Sequence, residues 1–277
     1  LVALGISLIY SGLDIVHCAH GEIYMFGAFI GMVVAETLSL PFPVTIAITM
    51  ILTGFLGMVI ERVFYRRLTR AGGGYTFAGM GMIICGFGMS ITLQNLANLI
   101  WGAKAKPFPV SFGMPFEIGS MVLPQSYLWI FGSAMILMIG LHLFLKKTRL
   151  GLAVRAVAHN KDIAYLMGIN VPMTISITFG VACGMAAAAG VLVAPINYVQ
   201  VLMGIGVLVK AFAAAVVGGF GNLPGAILGG LLVGVTESLG AGYISGSYKD
   251  IYAFMLLIIV LMVRPSGILG IDTRVKA

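Results

Sequence analysis

Residues 173–194 read Met-Thr-Ile-Ser-Ile-Thr-Phe-Gly-Val-Ala-Cys-Gly-Met-Ala-Ala-Ala-Ala-Gly-Val-Leu-Val-Ala, twenty-two residues without one Asp, Glu, Lys or Arg. Wound as an α-helix the run is about 33 Å long, enough to cross a hydrocarbon core of roughly 30 Å. The run is continuously apolar, with none of the period-two alternation of a barrel strand, so it reads as a helix. Working outward, further runs bounded by charges, prolines or polar clusters lie at approximately Leu1 to Val16, Glu22 to Leu40, Pro43 to Val63, Thr76 to Trp101, Tyr127 to Leu145, Gln200 to Val217, Ala226 to Leu239 and Ile251 to Val263. The segments from 195 to 250 are short and rich in glycine, so broken or re-entrant helices are expected there. The fold class is all-α: one polytopic transmembrane bundle of about eight or nine spans over residues 1–277.

Composition agrees. Of the 277 residues 60% are apolar and 9% charged, against roughly 25% charged in a soluble domain. This excludes a secreted disulfide scaffold, a disordered regulator and a soluble enzyme with a surface cleft. The chain opens on Leu1, inside an apolar run and without a basic leader, so a portion before it is expected to be missing. Cys18, Cys85 and Cys183 form no Cys-x-x-Cys pair and read as small buried hydrophobes.

The net charge of +7 is clumped, which points to orientation in a bilayer and not to nucleic acid. Arg62, Arg66, Arg67 and Arg70 form one clump, Lys146, Lys147, Arg149, Arg155 and Lys161 a second, and Arg264, Arg274 and Lys276 a third. Even numbers of spans separate them, so all three can face the cytoplasm. The loop from Gly102 to Ser126 then faces the other side, with Trp101 and Trp129 as interfacial anchors.

Several features carry candidate chemistry. The stretch from Lys146 to Asn170 reads as one amphipathic helix outside the membrane, bracketed by Gly151 and Gly168 and ended by Gly168-Ile-Asn170. It fits either a lipid surface or a groove on a partner protein. Lys210 lies in an apolar run, where it costs about 2.5–3.5 kcal/mol at mid-membrane. Glu237, Glu36 and Asp14 are its candidate partners, in a gate or in a purely structural pair. His17-Cys-Ala-His20-Gly-Glu22 has a metal-like look, but polar residues at a break between apolar runs more often cap helices or line a water-filled path. Tyr24, Asn95, Asn98, Asn197, Gln200 and Glu237 are further candidate linings. Gly27-Ala-Phe-Ile-Gly31 with Glu36 resembles Gly225-Ala-Ile-Leu-Gly229 with Glu237, from either an internal duplication or tight helix packing. The sequence carries no His-Glu-x-x-His, Gly-x-Ser-x-Gly or P-loop.

Ala19-His-Gly-Glu-Ile-Tyr-Met-Phe-Gly-Ala28, Thr148-Arg-Leu-Gly-Leu-Ala-Val-Arg-Ala156 through Asn170, Lys210-Ala-Phe through Gly218-Gly-Phe-Gly-Asn-Leu-Pro-Gly-Ala226 to Glu237, and Arg264-Pro-Ser-Gly-Ile-Leu-Gly270 reach nearly from end to end. With them the chain resembles the LivH-like permease subunits of branched-chain amino acid ABC importers. It departs from that family's pattern at His17 and Cys18. The resemblance implies a transport subunit and no enzyme, with no cofactor in this chain and ATP on partner subunits. It implies cytoplasmic ATPase subunits, a second and related permease chain, an extracytoplasmic substrate-binding protein, and a bacterial or archaeal cytoplasmic (inner) membrane. Arg149, Gly151, Arg155, Ala156, Gly168 and Asn170 then become ATPase-coupling residues in a cytoplasmic segment at 146–170. His20, Glu22, Tyr24, Lys210, Asn222 and Glu237 become translocation-path or gate residues. The competing class is an autonomous secondary transporter or channel that uses Lys210 and a carboxylate.

Overall fold

The computed structural model describes residues 1–13, 16–71, 75–110, 112, 116–118 and 121–270. Asp14, Arg274 and Lys276 lie outside the described residues, as does the side chain of Arg70. Among the described residues nine apolar helices follow one another: α1 (Val2–Leu13), α2 (His20–Leu38), α3 (Phe42–Ile60), α5 (Tyr75–Trp101), α6 (Gln125–Lys147), α9 (Val171–Asn197), α10 (Met203–Gly218), α11 (Leu223–Tyr243) and α12 (Lys249–Val263). Short helices α4 (Arg66–Ala71), α7 (Arg149–His159) and α8 (Lys161–Leu166) lie between them. A small antiparallel hairpin, Phe116–Ile118 with Met121–Leu123, sits in the loop after α5. Among the described residues seven helical segments are long and apolar enough to cross a membrane, while α1 and α10 are shorter.

The expected short segment at 226–239 is corrected: α11 has 21 residues. Asn222 caps it by accepting from Gly225 N, and Pro224 sits in its first turn, so the helix starts earlier than the apolar run. The basic stretch after α3 is helical. It continues as a π-helical turn, Glu61–Tyr65, into α4.

Packing centres on α9, against which α1, α2 and α3 lie. Small residues make these approaches close: a Cβ on Gly27 would collide with Ala187, and one on Gly57 would meet Cys183. The second small-residue motif does the same between α11 and α10, where Gly229 faces the carbonyl of Ala214. Glu36 is exposed while Glu237 is buried. The likeness between the two motifs therefore resides in close helix crossings, the tight-packing reading.

Contacts gather the basic residues at one end of the bundle. Arg66 donates to Pro172 O at the start of α9, 2.8 Å away. Arg155 and His159 border Phe220 to Pro224. The segment after Arg264 closes on the α10–α11 turn through Ile268 N to Val217 O and Leu269 N to Gly218 O. Gly219, at φ +109°, lets that turn accept Gly270 at van der Waals range. At the opposite end Lys106 pairs with Val199, and Phe42 packs on Phe108. Trp101 is no simple interfacial anchor, since its ring stacks on Phe29 of α2 at 4.8 Å. Trp129 is exposed.

Candidate functional site

The first turn of α2 is fully enclosed, and its polar side chains face different neighbours. His17 Nδ1 is 2.7 Å from the Tyr65 hydroxyl, with Phe179 against its ring. His20 lies against Gly5 of α1, where a side chain would collide with its ring. Glu22 faces α5 and α10 instead. Its Oε1 accepts from Ser90 Oγ at 3.1 Å, and Oε2 has no hydrogen-bond partner among the described residues. Gln94, one helical turn beyond Ser90, has an unpartnered Nε2. Gly21 and Gly204 bring α2 and α10 together there, so that a Cβ on Gly204 would lie 2.9 Å from Glu22 Oε2. Tyr24 is buried too, its backbone carbonyl closely approached by Gly190. The expected set His20, Glu22 and Tyr24 thus meets different helices: Glu22 meets Ser90 of α5, His20 meets Gly5 of α1, and the Tyr24 backbone meets Gly190 of α9.

Ser90 and Gln94 were not anticipated. Their i, i+4 spacing puts them on one face of α5, and that is the signal that singles them out. Asn95, Asn98, Asn197 and Gln200 are exposed and stand apart from Glu22, Asn95 donating to Ile91 O in its own helix. Among the described residues no group of three His, Cys, Asp or Glu is placed to hold a metal ion.

A second cluster joins α10, α11 and α12. Lys210 Nζ lies 2.5 Å from Glu237 Oε1 and 2.8 Å from Asp250 Oδ1, and Lys249 reaches Glu237 at 3.5 Å. Glu237, among the expected partners, is present, while Glu36 is exposed elsewhere. Asp250 was missed because it opens a span in sequence and meets Lys210 only through packing. Asn222 is not beside this pair. It caps α11 and donates to Leu269 O, which gives it a structural job at the basic end.

The segment expected as one amphipathic helix is two. Thr148 caps α7 by accepting from Gly151 N, and Asn160 ends α7 and caps α8 by accepting from Ile163 N. Gly151 is no bracket: it lies inside α7 against the backbone of Phe144 and Leu145, where a side chain would collide. Gly168, at φ +81°, does end the pair, and Asn170 caps α9 by accepting from Met173 N. The apolar face with Val154, Val157 and Ala164 is already buried within the chain, α7 packing on α6, α9 and α1. Arg149 and Arg155 are exposed and Ala156 half-buried. The uncovered apolar side chains of the segment are Leu150 and Leu152 on α7 and Ile163, Tyr165, Leu166 and Met167 on and just after α8, the last three 70%, 82% and 78% exposed.

Residues 1–261 match the family described as branched-chain amino acid transport system, permease component. The chain is 39% identical to the high-affinity branched-chain amino acid transport system permease protein BraD of Pseudomonas aeruginosa, over 98% of this chain and 91% of the relative. It is 34% identical to the LivH permease protein of Escherichia coli, over 98% and 90%. It is 24% identical to a probable LivH of Methanocaldococcus jannaschii, over 99% and 89%. No solved structure matches it.

Proposed function

Because the chain belongs to the permease components of branched-chain amino acid transport systems, we propose that it conducts branched-chain amino acids inward as one half of an ATP-driven importer. ATPase subunits dock at its basic end on the cytoplasmic face of the inner membrane. A second, related permease completes the bundle, and an extracytoplasmic binding protein delivers the amino acid. ATP binds and is hydrolysed on the partners.

The tip of α8 is the observation that carries this reading. Three large apolar residues stand exposed beside cations, outside the bundle, on an element that leads directly into the central helix α9. An autonomous transporter needs no such projection. Nucleotide-driven closure of the ATPases would push α7 and α8, and the push would reach α9 through the Asn170 cap. The chain itself performs no covalent chemistry. It supplies polar groups and water to a zwitterion that could not otherwise leave bulk water.

The test is Leu166→Asp together with Arg155→Glu, with uptake and ATPase co-purification measured on normally inserted protein. Loss of about 1.4 kcal/mol at the contact weakens association about tenfold. Unchanged co-purification and unchanged uptake in both variants would overturn the docking.

A further inference from the structure

We propose that Glu22, braced by Ser90 and flanked by Gln94, is the subsite that receives the α-ammonium group of the amino acid in transit, an inference that rests on the reading of the chain as an amino acid permease. Among the described residues three glutamates are buried: Glu22, Glu61 and Glu237. Glu61 is paired with Arg66, and Glu237 with Lys210 and Lys249. No ion pair among the described residues involves Glu22, although its exposure is 0%. Enclosed carboxylates are ordinarily paired or fully hydrogen-bonded, because an isolated buried charge is expensive. Here one oxygen is used by Ser90 and the other is free.

The surroundings fit a cationic visitor. The free Oε2 is aimed at the α2–α10 crossing, where Gly204 carries no side chain to cover it. α10 is too short to span, so its first turn begins within the bundle beside the first turn of α2. A primary ammonium has three donors and needs acceptors. Glu22 Oε2 supplies one along with the compensating charge. The unpartnered Nε2 of Gln94 is a donor one turn away, suited to the carboxylate of the same molecule. A zwitterion is thus met by complementary groups, and the adjoining α2–α10 crossing is made of Gly21, Gly204 and Leu208. The subsite discriminates a 2-amino acid from the corresponding acid lacking the amine, and is indifferent to which branched side chain follows.

The assembled importer in proteoliposomes tests this, with radiolabelled leucine delivered by the binding protein. Glu22→Gln is expected to lower uptake per ATP hydrolysed by about tenfold, the loss of one well-placed charged contact, while subunit assembly and stimulated ATP turnover stay at wild-type levels. Glu22→Asp is expected to recover most of the uptake. Should Glu22→Gln fail to assemble, Gln94→Leu decides, with uptake per ATP several-fold down. Uptake within about twofold of wild type in the assembled variant overturns the subsite and leaves the permease reading intact. Parallel loss of uptake, assembly and ATP turnover in both variants marks a packing role and overturns it equally. Wild-type vesicles that import no leucine would overturn the permease reading, and the subsite with it.

Discussion

Gly229 and Gly230 are neighbours in sequence with opposite surroundings. A Cβ on Gly229 would run into the carbonyl of Ala214, whereas one on Gly230 meets nothing within 4 Å. Gly229→Ala is therefore expected to destabilise by about 1–3 kcal/mol, the usual consequence of overpacking. Gly230→Ala should be neutral or stabilising by up to about 1 kcal/mol through helix propensity. Thermal unfolding of both variants in detergent checks the pair, and equal shifts would contradict the α10–α11 contact. The same locality governs Lys210, whose side chain is 29% exposed against 10% for Glu237. The pair is not fully enclosed within the chain, and the sensitive measurement is a cycle. Lys210→Met and Glu237→Leu each leave a charge with fewer partners, and the double variant should be less destabilised than the sum of the singles by on the order of 1 kcal/mol. Strict additivity would mean that Asp250 alone satisfies Lys210.

Elements show where sequence reasoning reached and where it stopped. The apolar periodicity of 146–170 announces an amphipathic helix, and Gly168 announces its end. Periodicity states that an apolar face exists and not what covers it: Val154, Val157 and Ala164 lie on the chain's own bundle while Leu152, Leu166 and Met167 lie open, and the break at Asn160 depends on one side chain accepting from Ile163 N. The π-helical turn after α3 was equally invisible, because its cause is tertiary. Glu61 accepts from Arg66 Nη2 at 3.1 Å and from Ser176, and Arg66 also donates to Pro172 O. This network fastens the end of α3 to the start of α9, immediately after the helices proposed to couple to ATPases. Arg66→Met leaves the Glu61 carboxylate buried without its cation and should cost about 3 kcal/mol, read as a lower unfolding midpoint in detergent. Arg66→Met with Glu61→Leu should recover most of that loss, and a double variant as unstable as the single would show that Arg66 acts only through the Pro172 carbonyl.

At the scale of the whole molecule, counting cations and spans was enough to bring distant segments together. Arg66 touches the start of α9, Arg155 borders the α10–α11 turn, and the stretch after Arg264 packs on that same turn. The conspicuous glycine motifs at 218–222 and 264–270 meet one another there, which explains why both must stay small. The buried cluster on α2 was only half legible: Glu22 stands out as a carboxylate at a break between apolar runs, but Ser90 and Gln94 join it only when α5 folds against α2. One end of the bundle carries Arg66, Arg155 and the stretch after Arg264, and the other carries the loop of Lys104 and Lys106 with the bridge to Val199. Basic residues next to spans are retained on the cytoplasmic side, since moving them across the bilayer is costly during insertion. The two ends therefore differ in access from outside the cell. With Cys18, Cys85 and Cys183 replaced by Ala, a membrane-impermeant maleimide added to intact cells should label Lys104→Cys and leave His159→Cys unlabelled until the membrane is opened. Labelling of position 159 in intact cells, with position 104 protected, would invert the molecule and remove α8 from the reach of any cytoplasmic ATPase.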